Sequence, residues 1–182
     1  MTWVTLMLWG AAAVALMMLV LWLIHLPMRN AAIVDFGWAL GLGMLGAGYA
    51  TFGGGWWLRS VLIGTMAGIW SLRLALYLLL TRVIGRPEEG RYQELRRRWK
   101  TNLPAKFLAF FEFQALLDVA LSLPFLVAAL NPTPGLSPLE WAGAILWLVA
   151  ICGEILADAQ LAAFKARPES KGHTCQDGLW HY

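Results

Sequence analysis

Asp35, Arg73, Glu112, Asp118, Glu154 and Asp158 each lie in a stretch otherwise made of apolar residues. An ionisable group at bilayer depth costs at least ~2.5 kcal/mol on insertion scales, so each needs a partner or a task. A basic island, Gly85 to Lys106, stands against them. It reads GRPEEGRYQELRRRWKTNLPAK and carries Arg86, Arg91, Arg96, Arg97, Arg98, Lys100 and Lys106. Clustered cations hold phosphates by charge-assisted hydrogen bonds. Buried carboxylates can pair with a cation, accept hydrogen bonds or carry a proton. Asp35 with Arg73 is the expected ion pair, and the surplus acids call for Tyr, Trp, a ligand or protonation. This pattern predicts a cavity, acidic and aromatic inside and basic at its mouth. It suits a molecule with an apolar end and a phosphate-bearing end. The structural alternative is a set of buried pairs that only fix helix register.

Other chemistries have little support. GRPEEG is not a glycine-rich phosphate loop, and Cys152 and Cys175 are not at a metal-ligand spacing, so no metal site is expected. Cys152 reads as inert. The net charge of +3 comes from local clustering. No basic stripe is interleaved with exposed aromatics, so nucleic acid is not an expected partner.

Five apolar runs must position these groups. Hydrophobic residues are 59% of the 182-residue chain and charged residues 14%, where a soluble domain would carry about 25% charged. The spans read as Trp3 to Leu26, Ala31 to Phe52, Leu58 to Val83, Leu103 to Leu130 and Leu139 to Phe164. Each is long enough to cross about 30 Å of hydrocarbon. The first reads as a span and not as a removable signal peptide, because a basic n-region is missing. His25 at its end reads as interfacial. Asp35 opens the second span, and Gly37 with Gly41 lets a neighbouring backbone approach closely. Gly64 and Gly68 suggest a second seam. Gly53 to Gly55 is a turn, with Trp56 and Trp57 as interfacial anchors. Trp70, Arg73 and Tyr77 share one face of the third span, with Arg73 about 13 Å inside its end. Gln114 and Asp118 face the same way on the fourth span, and Pro124 is expected to kink it. Glu154 and Asp158 are one turn apart on the fifth.

Charge sets the orientation. With the Gly85 loop cytoplasmic, alternation puts Arg29 and the tail from Lys165 on that side too. Every Lys and Arg except Arg59 and Arg73 then falls on or just inside the cytoplasmic side. The N-terminus, the Gly53 turn and the NPTPGLSP turn fall outside. The expected architecture is an all-α, polytopic transmembrane helical bundle in a single domain of five spans.

The runs NAAIVDFGWALG, IWSLRLALYLLLTRVIGRPEEGRYQELRRRW, GEILADAQLAAFK and KGHTCQDGLWHY resemble the bacterial branch of the steroid 5α-reductase family, DUF1295-like membrane reductases. The resemblance covers most of the chain. It implies a bacterial inner-membrane enzyme that uses NADPH to reduce an enone carbon–carbon double bond in a steroid or similar lipid. It places Asp35 near the substrate carbonyl. Trp70 stands where the animal enzymes have their tyrosine proton donor, and Tyr77 is the candidate stand-in. It assigns cofactor contacts to Asp158, Lys165 and the segment to Tyr182, with Arg86 near the phosphates. Arg73, Arg91, Tyr92, Glu154 and His173 complete the candidate cofactor-binding set. In the family a Ser-Arg-His-Pro-Asn-Tyr-Phe segment and about two further spans follow, seven in all, so the chain reads as C-terminally incomplete.

Two rival readings remain. One is a membrane methyltransferase of the isoprenylcysteine type, using S-adenosylmethionine, for which the basic mouth would be only a topology signal. The other is a lipid-binding membrane protein without catalysis.

Overall fold

A computed structural model describes residues 2–170 and 172–181. Their regular structure is helical: α1 (Trp3–Met28), α2 (Ile33–Phe52), α3 (Trp57–Leu78), α4 (Gly90–Trp99), α5 (Leu103–Ala129) and α6 (Pro138–Lys165). A π-helical turn, Leu79–Val83, extends α3, and two 3-10 turns, Pro168–Ser170 and Gly178–His181, follow α6. Five helices are long and apolar enough to cross a membrane: α1, α2, α3 with its extension, α5 and α6. Their bounds fall within three residues of the expected spans. α5 runs unbroken through Pro124. The chain divides into two compact units, Met1–Gly135 and Leu136–Tyr182.

In the first unit α2 is the central helix and packs on α1, α3 and α5. Its most apolar window is 56% buried, against 17% to 28% for the other three spans of this unit. Small residues explain this. Gly41 lies against the Asp118 carboxyl of α5 and Val14 of α1. Gly43 lies against Ser71 of α3, whose hydroxyl donates to the Ala39 carbonyl. A side chain at either position would push these helices apart. The expected Gly37–Gly41 seam is therefore real, with Gly37 against Met18 and Leu21. The second seam is half real: Gly64 meets Ala50, whereas Gly68 faces open space.

Asp118 is fully buried, and neither carboxyl oxygen has a hydrogen-bond partner among the described residues. Its fit against Gly41 makes a specific prediction. Gly41→Ala should destabilise the protein by about 1–3 kcal/mol, the usual cost of overpacking. The loss should shrink when Asp118→Ala is added, read as thermal unfolding in detergent. A loss unchanged by the second substitution would rule out this contact as its cause.

At the Gly53 end, backbone and side chain hold the turns together. The Gly55 and Trp56 amides donate to the Ala129 and Asn131 carbonyls at 3.1 and 2.9 Å. Arg59, buried, donates to the carbonyls of Asn131, Thr133 and Gly135 at 3.1, 2.8 and 2.8 Å. A cleft of about 550 Å³ between α2 and α3 opens at this end, lined by Ala47, Thr51, Ser60 and Gly64, away from Asp35.

At the other end, α4 lies between the third and fourth spans. Its apolar residues Tyr92, Leu95 and Trp99 recur at i, i+3 and i+7 and join the main core. Trp99 meets Phe107 and Phe110 edge-on at 5.0 and 6.4 Å. The opposite face carries Arg97 and Arg98, both paired with Glu94 at 3.0 and 2.9 Å. These guanidiniums hold the Glu94 carboxylate below its ordinary range, Arg98 by a hydrogen bond. His25, in the last turn of α1, is buried against Phe107 and Phe111, and its Nδ1 lies 2.6 Å from the Trp22 carbonyl.

The second unit is α6 with its tail folded back. A capping box opens α6, with Ser137 and Glu140 each satisfying the other's backbone amide. Gln160 accepts from the Leu179 amide at 2.9 Å, and the Trp180 indole donates to the Ala157 carbonyl at 2.8 Å. Gly178 has φ +56° and sits against Gln160, so a side chain there would be both strained and obstructed. Arg167 pairs with Asp177.

Candidate functional site at the Asp35 carboxylate

The start of α2 is built by two side chains from outside it. Asn30 accepts from the Ala32 amide at 3.0 Å, and Glu88 accepts from the Ala31 amide at 2.8 Å. These amides lie just ahead of the first helical residue, so the two side chains fix the turn that leads into α2. Asn30 also donates to the Arg82 and Arg86 carbonyls at 3.2 and 3.3 Å. Glu88 in turn takes two hydrogen bonds from Arg96, at 2.7 and 3.0 Å. The loop between α3 and α4 is thereby fastened to the connection between α1 and α2.

Asp35 lies in the first turn of α2, next to that clamp. Its Oδ1 accepts from the Tyr92 hydroxyl at 2.7 Å. Its Oδ2 is paired with Arg91 and stands 3.6 Å from the Arg82 guanidinium. The expected pairing with Arg73 is thus not formed. The reason is local: the π-helical turn carries Arg82 to the end of α3, and α4 carries Arg91 and Tyr92 over the α2 terminus. The nearer cations take the carboxylate. Both Asp35 oxygens also act as acceptors, so the side chain is not set up to donate a hydrogen bond to a carbonyl.

Glu89 closes the arrangement. Its two oxygens pair with Arg82 Nε at 3.0 Å and Arg91 Nε at 2.9 Å. Each guanidinium therefore spans two carboxylates, one fixed on α2 and one on the loop. Burial works against the Arg91 charge, but Asp35 and Glu89 outweigh it and hold the guanidinium above its ordinary range. Burial and the Asp35 carboxylate push the Tyr92 phenol well above its ordinary value of 10.0. Because the folded value is the higher one, the stabilisation is complete below pH 10 and is lost as pH rises beyond it. Tyr92→Phe should cost about 1–3 kcal/mol at neutral pH, the cost of unsatisfying a buried acceptor. The gap between wild type and variant should narrow above pH 10 in thermal unfolding; a constant gap would exclude the Tyr92–Asp35 bond as its source.

Of the expected site residues, Asp35, Arg91 and Tyr92 come together, with Arg86 exposed in the adjoining loop. On α3, Trp70 meets Trp38 edge-on at 6.3 Å, and Tyr77 packs against the cluster of Ala39, Ala75 and Leu78. Arg73 lies between them on the same helix. In the second unit, Glu154 and Asp158 share a face of α6, Lys165 ends it, and the His173 amide donates to the Ser170 carbonyl at 3.0 Å. Tyr182 lies outside the described residues. Sequence reasoning missed Arg82, Glu88, Glu89 and Asn30 as site residues. The i, i+3, i+7 recurrence of Tyr92, Leu95 and Trp99 was the available signal for α4. Among the described residues no group of His, Cys, Asp and Glu could hold a metal ion.

Five apolar helices of spanning length, with a charged cluster at the start of α2, define a polytopic α-helical membrane protein. The chain belongs to DUF1295, a family described as a protein of unknown function, which it matches over residues 21–182. No curated protein and no solved structure matches it.

Proposed function

We propose that this protein is an NADPH-dependent membrane reductase of an enone carbon–carbon double bond in a steroid or similar lipid. Membership of DUF1295 supports this reading, because that family is related to steroid 5α-reductase-like membrane proteins. The observation that carries it is the Asp35 cluster: two guanidiniums and a phenol converge on one carboxylate at the end of an apolar bundle. Guanidiniums that already bridge two carboxylates have the geometry to hold phosphates. That chemistry fits the diphosphate of a dinucleotide and is not needed for S-adenosylmethionine.

When bound, the cofactor supplies a hydride to the β-carbon of the enone, and a proton completes the reduction at the α-carbon. The chain's own residues do the rest. Arg91, with Arg86 exposed beside it, holds the phosphates. Asp35 fixes Arg91 and Tyr92 and so positions the polar end of the site. Trp70 and Tyr77 line the same face of α3 as Arg73, with the Tyr77 hydroxyl as the candidate proton donor. The apolar helices exclude water and align the lipid. The loop and tail face the cytoplasm of a bacterial inner membrane.

The test is incubation of the full natural protein in nanodiscs with NADPH and a panel of steroid and isoprenoid enones. NADPH and enone should be consumed together. No turnover across the panel, with binding of S-adenosylmethionine in place of NADPH, would replace this reading with the methyltransferase one. Binding of neither would leave a lipid-binding protein.

A further inference from the structure

The pair Glu88 and Glu89 is chemically identical and structurally opposite. The Glu88 side chain is 9% exposed and is locked by the Ala31 amide and by two bonds from Arg96. The Glu89 side chain is 29% exposed, and its described partners are the Nε atoms of Arg82 and Arg91. Its backbone carbonyl starts α4, accepting from the Tyr92 and Gln93 amides at 3.0 and 3.1 Å, so helix geometry holds the main chain and leaves the carboxylate to the arginines. Arg82 and Arg91 meanwhile keep their terminal nitrogens on Asp35, which the buried Tyr92 hydroxyl anchors from the other side. One edge of each guanidinium is thus committed to a fixed carboxylate, and the other to a carboxylate on an exposed loop.

We infer that Arg82 and Arg91 form an anion seat for a phosphate group, and that Glu89 occupies this seat as an internal stand-in until the phosphate displaces it. A carboxylate that gives one oxygen to each of two guanidiniums occupies the place where two oxygens of a phosphate would bind. The exchange needs no movement of Asp35, Tyr92 or the α2 terminus. Glu89 swings out, and the charge of the seat is balanced again by the incoming anion. While seated, Glu89 keeps two arginines at the bilayer edge neutralised and lowers their affinity for weak anions. The seat is independent of the phosphate's source, a dinucleotide or a lipid headgroup; only the assignment to NADPH rests on the reductase reading.

The experiment measures binding of inorganic pyrophosphate, by calorimetry, to the full chain in phosphatidylcholine nanodiscs. Wild type is compared with Glu89→Gln, Glu89→Ala and the double variant Arg82→Gln/Glu89→Gln. Removing a competing carboxylate from two half-exposed pairs should tighten pyrophosphate binding about fivefold in both single variants. The double variant should lose that gain. Melting temperatures of the four proteins identify any variant that has not folded, and the two single variants stand in for each other. Unchanged or weaker binding in both folded single variants overturns the inference. Parallel titrations separate the sources. If NADPH tightens together with pyrophosphate, the seat serves the cofactor. If pyrophosphate tightens and NADPH does not, the seat stands and the reductase reading falls. Competition by phosphatidylglycerol introduced into the discs assigns it to a lipid headgroup.

Discussion

Asp35→Asn should lower kcat by about 100-fold or more, the range seen when a positioned polar group is lost from a catalytic site. NADPH binding should weaken as well, because Asp35 fixes the Arg91 that holds the phosphates. The amide keeps the shape of the side chain but removes the charge that holds two guanidiniums. It also presents an NH2 group to donors, either to Arg91 and Arg82 or to the Tyr92 hydroxyl, since the present arrangement uses both oxygens as acceptors. Arg91 and Tyr92 would then lose their common anchor, while Arg86 in the neighbouring loop would be untouched. The measurement is steady-state reduction of whichever enone the panel identifies, with separate titration of NADPH binding. Unchanged turnover would remove Asp35 from the site and leave the cluster a structural one. Asp35→Glu keeps the charge and should retain a measurable part of the activity.

Glu88→Ala should be the most damaging change to stability in the loop, about 3 kcal/mol, because it removes one partner of a largely buried pair. The Arg96 guanidinium, stacked 4.6 Å over the Phe107 ring, loses both of its hydrogen bonds at once. The Ala31 amide is left without its acceptor. Both losses fall where the loop is fastened to the start of α2, so the Asp35 cluster should loosen as well. Thermal unfolding in detergent reads the first effect, and weaker protection of the α2 N-terminus in hydrogen exchange reads the second. Glu94→Ala on the outer face of α4 is the control. It removes two exposed pairs and should leave the melting temperature essentially unchanged. A Glu88→Ala protein as stable as this control would show that the clamp does not hold the loop.

The two carboxylates at 88 and 89 show what kind of information each level holds. A composition of 59% hydrophobic residues, broken by short polar connections, determines the five spans, since only helices and closed barrels satisfy backbone groups in hydrocarbon and apolar runs of about 20 residues or more have the length of helices. Glycines four apart on α2 determine that this helix is the central one, because closeness of approach is set by side-chain size alone. The basic island and Asp35 mark the candidate site, since uncompensated charge near a bilayer is costly wherever the chain goes, whereas Asp118 lies elsewhere, against Gly41. The basic island reads as a loop, and α4 within it goes unread, although the spacing of Tyr92, Leu95 and Trp99 carries its apolar face.

Tertiary structure decided the pairings. Asp35 could meet Arg73, Arg82 or Arg91 on sequence alone, since a carboxylate has no preference among arginines. The choice came from the π-helical turn after α3 and from the docking of α4 on Phe107 and Phe110, which bring Arg82 and Arg91 to the α2 terminus. The same docking separated Glu88, turned inward to Ala31 and Arg96, from Glu89, turned outward to the two arginines. Charge and hydrophobicity act on each residue where it stands in the chain and can be read there. An ion pair depends on distances between residues far apart in sequence, and those exist only once the helices have packed.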